Sequence, residues 1–170
     1  MRDKIKKYTP EDIYYDRNLY KNVNKVLKKL NFGNYIEQEL VFDIDSDNVK
    51  CDHNKNELVC AKCLKRSYFL TMKMKKELER DFKFKRIGLT YSGRGFHLHV
   101  FDKKAFAMSM EERKEITKKL SIYPIDPWGS RGNIHLIRLP YSLNALVSRI
   151  VIPIKSSEFD LNKTLPEFMR

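Results

Sequence analysis

Apolar and polar positions along the chain follow two different periods. From Asp16 to Phe32 the apolar residues Leu19, Val23, Val26, Leu27 and Leu30 recur at helical spacing with lysines between them. This predicts an amphipathic, basic helix over 16–32, closed by Gly33. Leu40-Val41-Phe42-Asp43-Ile44-Asp45 is instead an apolar run that turns acidic at its end, as a buried strand does where its carboxyl end meets a site. Residues 46–65 hold every cysteine and little periodicity, and read as a loop. Ser67 to Asp81 reads as a charged helix with Phe69, Leu70, Met74 and Leu78 facing inward.

Arg86–Tyr91 and Phe96–Phe101 flank Ser92-Gly93-Arg94-Gly95, which predicts two strands joined by a glycine turn. Ser109 opens a helix to about Leu120, with Glu112 as its capping-box partner. Ile125-Asp126 reads as a short strand, Gly129 to Gly132 as a turn, Ile134–Leu139 as strand or helix, and Ser148–Ile154 as a last strand. No repeat, low-complexity tract or linker interrupts the chain, so the expectation is one α+β domain over 1–170.

Charge narrows the partners. Lys and Arg number 34 against 22 Asp and Glu, a net charge of +12, which favours nucleic acid, nucleotide or an anionic surface. At 42% hydrophobic and 12% aromatic residues the chain is outside the disordered class despite 33% charged residues. No apolar run approaches the ~20 residues of a membrane-spanning helix. Met1-Arg2-Asp3-Lys4 has no apolar stretch behind it, so no secretory signal and a cytoplasmic setting are expected. Three cysteines in a reducing compartment point to metal binding or isolated thiols rather than a disulfide framework.

Three constellations carry chemistry. Asp43 and Asp45, two apart on a strand, project to one face, and such a pair repels itself unless a cation sits between them. Mg²⁺ or Mn²⁺ with oxygen ligands answers that repulsion; a strand simply ending in an acidic turn, with Asp47 continuing the series, is the plainer reading. Cys51, His53, Cys60 and Cys63 place four soft ligands within thirteen residues, which suits a closed, structural tetrahedral Zn²⁺. Tyr91-Ser92-Gly93-Arg94-Gly95-Phe96-His97 combines two glycines, which let backbone approach a phosphate, with a hydroxyl, a guanidinium and an imidazole; a plain hairpin turn is the alternative.

In order, these motifs and the later His135-Leu136-Ile137-Arg138-Leu139-Pro140-Tyr141-Ser142 run resemble the catalytic (small) subunit of the archaeal-eukaryotic primases, in a shortened form. The resemblance runs from about Leu40 to Ile154. It implies a mixed or antiparallel sheet of the primase-polymerase (RRM-like) type, flanked by helices and carrying a zinc-stapled loop. It also implies that Asp43, Asp45 and Asp126, the last nine residues before His135, hold the catalytic Mg²⁺ or Mn²⁺. Ser92, Arg94, His97, Arg138 and Ser142 become contacts to the incoming nucleotide. The glycine turn is one residue shorter than the family form, Asn144 stands where a histidine is usual, and the following K-T-G is replaced by Ala145-Leu146-Val147-Ser148-Arg149.

The implied activity is primase-type nucleotidyl transfer from NTPs or dNTPs on a single-stranded DNA template, with a large regulatory subunit as a further partner and no membrane. Two rivals stand beside it. His97-Leu98-His99 matches the HUH pattern of rolling-circle initiation endonucleases, although the helix after it carries no tyrosine nucleophile. A zinc-stabilised, non-catalytic module for single-stranded nucleic acid would not need Asp43, Asp45 and Asp126 together.

Overall fold

The structure is a computed structural model and describes residues 2–8, 10–28, 34–50, 59–126, 136–155 and 159–169. In chain order the elements are α1 (Arg2–Tyr8), β1 (Tyr14–Asp16), β2 (Asn18–Tyr20), α2 (Val23–Lys28), β3 (Tyr35–Gln38), β4 (Leu40–Asp45) and α3 (Ala61–Asp81). There follow β5 (Ile87–Tyr91), β6 (Gly95–Val100), α4 (Lys103–Phe106), α5 (Met110–Lys119), β7 (Leu136–Arg138), β8 (Leu143–Asn144), β9 (Arg149–Ile150) and β10 (Ile152–Ile154). The class is α+β, with antiparallel sheets.

A four-stranded antiparallel sheet in the order β10-β5-β6-β4 is the frame of the molecule. Alternation along β4 and β6 sends Leu40, Phe42, Ile44, Phe96, Leu98 and Val100 to one face, where they join Leu64, Met74 and Leu78 of α3 in the hydrophobic core. Tyr91, Phe96 and Phe159 pack there as an aromatic group, with ring centroids 4.9–5.6 Å apart. The opposite face carries Val41, Asp43 and Asp45 from β4 and His97 and His99 from β6, with register pairs Asp43↔His97 and Val41↔His99. The two-stranded ribbon β1–β7 and the pairs β2–β3 and β8–β9 complete the sheets.

The predicted helix over 16–32 is corrected in its first half: residues 14–20 form β1 and β2, and helix begins only at Val23. The apolar periodicity misleads because the buried residues here are polar. Arg17 and Asn18 are 3% and 6% exposed while Leu19 is 46% exposed. The Arg17 guanidinium donates to Glu39 O at 3.0 Å, and Gln38 Nε2 donates to Asn18 Oδ1 at 2.7 Å, so hydrogen bonds rather than apolar contact set the inward face. Residues 29–33, with the Gly33 stop, lie outside the described residues.

Helix α3 starts at Ala61, so Cys60 caps it and Cys63 sits in its first turn rather than in a loop. Leu64, Ser67, Thr71, Met74 and Leu78 form its buried face; Phe69 is exposed, against expectation, because two residues from both Ser67 and Thr71 it falls on the opposite side of the helix. The strands around the glycine turn and the helix after Ser109 stand as expected, the latter with both capping-box bonds formed. Ile125-Asp126 is not a strand, residues 129–132 lie outside the described residues, and 136–138 form a strand. The single last strand is two. Its partner changes at the buried Val151, which exchanges backbone bonds with Tyr141 and Ser142, while β9 pairs with β8 and β10 with β5.

Because Leu78 is fully buried beneath the sheet, Leu78→Ala should cost about 2–5 kcal/mol in urea denaturation. Phe69→Ala should change the unfolding free energy by no more than about 0.5 kcal/mol.

Candidate nucleotide and metal site

Strand alternation brings the acidic pair and the glycine turn to the same end of the same sheet face. Asp43, Asp45, Ser92, Arg94, His97, Arg138 and Asn144 line one cleft of about 260 Å³ with Tyr14, Leu136, Ile137 and Leu146. The sheet supplies the floor, and the β1–β7 ribbon, in register Tyr14↔Arg138, supplies a wall. Of the eight residues expected to handle catalytic metal and nucleotide, six meet here.

The turn is built for close backbone approach. Ser92 N–H donates to Gly95 O at 3.0 Å, and Gly95 N–H donates back to the Ser92 hydroxyl at 3.0 Å. Gly93 adopts φ +104°, and a Cβ there would stand 2.5 Å from Asn144 Nδ2. A Cβ on Gly95 would stand 2.3 Å from Ile44 O and 2.8 Å from Asp45 Oδ1, so glycine is what lets the turn lie directly against the carboxylates. Tyr91 OH donates to Gly93 O, and Asn144 Nδ2 donates to Ser92 O at 2.9 Å, holding the turn from both sides.

Charges in the cleft are paired across motifs. Arg94 Nη2 donates to Asp45 Oδ2 at 3.1 Å and lies 2.9 Å from Asp47 Oδ2. His97 Nε2 lies 3.4 Å from Asp43 Oδ2, and the other Asp43 oxygen, Oδ1, is buried with no hydrogen-bond partner among the described residues. Burial, and then the Asp43 charge, push the Asp45 carboxyl above its ordinary value, with Arg94 pulling the other way. Two half-buried carboxylates, one with an oxygen unpaired among the described residues, form a donor set that fits a hard divalent cation such as Mg²⁺ or Mn²⁺. Arg138 donates to Asp12 and lies over the Tyr14 ring, 4.8 Å from its centroid.

Other expected residues lie differently. Asp126 donates its N–H to Asp43 O at 2.8 Å, which sets it beside the end of β4, but it is not among the residues lining the cleft. Among the described residues no group of three or more His, Cys, Asp or Glu is drawn together as a metal cage. Ser142 donates its hydroxyl to Leu139 O at 2.7 Å and holds the bend after β7 rather than facing the cleft. Cys60 and Cys63 are both buried at the start of α3; Cys51, His53 and His135 lie outside the described residues.

Sequence reasoning passed over two features. Asp47 was absorbed into an acidic turn, although its i+2 relation to Asp45 was legible. Behind the cleft, His99 Nδ1 donates to Glu39 Oε1 at 2.9 Å and Tyr15 OH donates to Glu39 Oε2 at 2.8 Å. Burial alone would raise the Glu39 carboxyl, but the His99 and Tyr15 bonds and the Arg17 charge together hold it below its ordinary value. No sequence spacing signals this link between β1, β4 and β6.

Comparison with known proteins agrees with the geometry. The model of the DNA primase small subunit family matches residues 42–128, a span that takes in Asp43, Asp45, the glycine turn and Asp126. A protein of Archaeoglobus fulgidus described as an uncharacterized DNA primase small subunit-like protein is 40% identical over 188 residues, covering 98% of this chain and 66% of that protein. The DNA primase small subunits of Thermococcus sibiricus and Staphylothermus marinus are 33% and 27% identical, covering 71% and 69% of this chain but 34% and 38% of theirs. The chain belongs to the DNA primase small subunit family. It spans between a third and two thirds of the length of these relatives. Among the described residues no helix is long and apolar enough to cross a membrane.

A raised carboxyl is a stability statement. The Asp45 proton is held more tightly in the folded chain than in the unfolded one, so its charge lowers stability at neutral pH, and that loss fades as pH falls through the raised value. Asp45→Asn, without divalent cation, should therefore melt higher than wild type at pH 7, with the gain shrinking toward acid. Differential scanning calorimetry across pH checks this.

Proposed function

We propose that this chain is a primase-type nucleotidyltransferase that synthesises or extends short primers on a single-stranded DNA template, using NTPs or dNTPs. The observation that carries the reading is the meeting, in one cleft, of the Asp43–Asp45 pair with the Ser92–Gly95 turn and the cationic groups Arg94, His97 and Arg138. The reaction is attack of a primer 3′-hydroxyl on the α-phosphorus of a nucleoside triphosphate, with pyrophosphate leaving. Bound at Asp43 and Asp45, and completed by Asp126, Mg²⁺ or Mn²⁺ would supply charge neutralisation at the attacking and leaving oxygens.

The chain's own residues do the binding and orienting. Arg94 and Arg138 offer charge-assisted donors to the triphosphate, and the Ser92–Gly95 backbone lets it approach closely. His97, held by Asp43, adds a donor beside the pair. Tyr14 and Leu136 narrow the opening where the ribbon meets the sheet. Ser142, in this reading, acts by holding the bend that aims Arg138. The basic surplus of the chain suits a template backbone, and a large regulatory subunit and a cytoplasmic setting complete the assignment.

The pairing of each imidazole with its own carboxylate, His97 with Asp43 and His99 with Glu39, supports this reading over a two-histidine endonuclease centre. Incubation with a single-stranded template, labelled nucleotides and Mg²⁺ or Mn²⁺ tests it. Wild type should yield new or extended strands, and Asp43→Ala and Asp45→Ala should each lower the yield at least about a hundredfold. Wild-type inactivity with intact nucleic-acid binding would select the binding module, and covalent tyrosyl-DNA the endonuclease.

A structural Zn²⁺ held by Cys51, His53, Cys60 and Cys63 belongs to the same proposal. The buried C-x-x-C half at the start of α3 supports it, because thiolates at a helix N-terminus are favoured by the dipole. Elemental analysis of the purified chain should give one zinc per chain, lost in Cys60→Ser together with thermal stability; a zinc-free, fully stable chain would contradict the staple.

A further inference from the structure

Arg94 faces two opposite demands. In the structure its guanidinium lies on carboxylates, 3.1 Å from Asp45 Oδ2 and 2.9 Å from Asp47 Oδ2. In the nucleotidyltransferase reading the same group must serve phosphate. The backbone keeps it within reach of both. Arg94 O accepts from Ser46 N–H at 3.1 Å, and Gly95 lies so close to Asp45 that even a methyl group would not fit between them. The long side chain can swing while its Cα cannot leave.

Asp45 is half-buried beside the like-charged Asp43, and the guanidinium supplies its counter-charge. A divalent ion at the same oxygens would compete with the guanidinium for them and repel it. Asp47 is different. It lies outside the strand, in the turn after β4, with its side chain 57% exposed, so it can keep its hold on the guanidinium after Asp45 has been taken.

We propose that Arg94 is the resident counter-cation of Asp45 in the nucleotide-free protein, that a divalent cation displaces it onto the triphosphate, and that Asp47 is the positioning residue that keeps it at the cleft. This rests on the nucleotidyltransferase reading of the site. Its consequence is mutual reinforcement: the cation frees the guanidinium that phosphate needs, and phosphate removes the guanidinium that opposes the cation. Arg94 thus weakens cation binding when no nucleotide is present, the reverse of what a residue that merely shapes the site would do.

Titration of the folded chain with Mn²⁺ alone, followed by the electron paramagnetic resonance signal of free Mn²⁺, tests this. Arg94→Gln should bind Mn²⁺ roughly twofold to fivefold more tightly than wild type, the size expected for losing a partly exposed ion pair. Arg94→Lys, which keeps the charge, should stay near wild type. Arg86→Gln, which removes an equal charge from the residue before β5, outside the cleft, should also leave the affinity unchanged. Unchanged or weaker binding in Arg94→Gln, or equal tightening in Arg86→Gln, would overturn the exchange. Unchanged binding in Asp43→Asn and Asp45→Asn would instead overturn the metal site itself, so the two failures are distinguishable. Asp47→Asn should raise the KM for nucleotide severalfold with kcat retained; an unchanged KM, or a fall in kcat alone, would overturn the tether.

Discussion

Two carboxylates on one face of one strand, partly withdrawn from water, are a standing electrostatic debt in this fold. Alternation along β4 forces it: once Leu40, Phe42 and Ile44 turn toward α3, Asp43 and Asp45 must share the opposite face. The surroundings answer each charge separately. His97, directly across the ladder, approaches Asp43, and Arg94, from the adjoining turn, approaches Asp45. Both answers are partial, since Asp43 Oδ1 has no partner among the described residues and the Asp45 carboxyl stays raised. In the proposed nucleotidyltransferase reading, a divalent cation would complete the charge balance that these two partners leave open.

The rest of the molecule fixes the distance between this pair and the groups that would receive the triphosphate. Arg138 does not belong to the central sheet, and its position depends on how the β1–β7 ribbon is held. That hold is polar and buried. Glu39, the residue before β4, takes hydrogen bonds from Tyr15 on the ribbon and His99 on β6. Its carbonyl accepts from Arg17 and from the buried Arg113, which also donates to Gln38, Ala105 and Phe106. Buried hydrogen bonds of this kind specify one geometry where apolar contact would allow several, although His99 Nε2 has no partner among the described residues.

Most of the sheet and the central cleft were legible in the sequence because they rest on local patterns. The acidic end of the β4 run, the glycine turn between two strands and the Ser109 cap each depend on neighbours within a few residues. The failures have the opposite character. Residues 16–20 read as helix because the partners of Arg17 and Asn18 are some twenty residues away, in Gln38 and Glu39. The last strand looked continuous because the exchange of partners at Val151 depends on Tyr141 and Ser142. Asp126 and Ser142 come from the family resemblance alone; the structure sets the first beside the end of β4 and the second at the bend after β7. Asp12, the partner of Arg138, has no motif at all.

The central claim is that the acidic pair and the glycine turn are two halves of one nucleotide site. A crystal structure with Mn²⁺ and a non-hydrolysable nucleoside triphosphate tests it most directly. The expected result is an anomalous Mn²⁺ peak bridging Asp43 and Asp45, with the phosphates on Arg94, His97 and Arg138 and the Arg94 guanidinium withdrawn from Asp45. Manganese or phosphates bound elsewhere on the chain, with the Asp45–Arg94 pair intact, would contradict it.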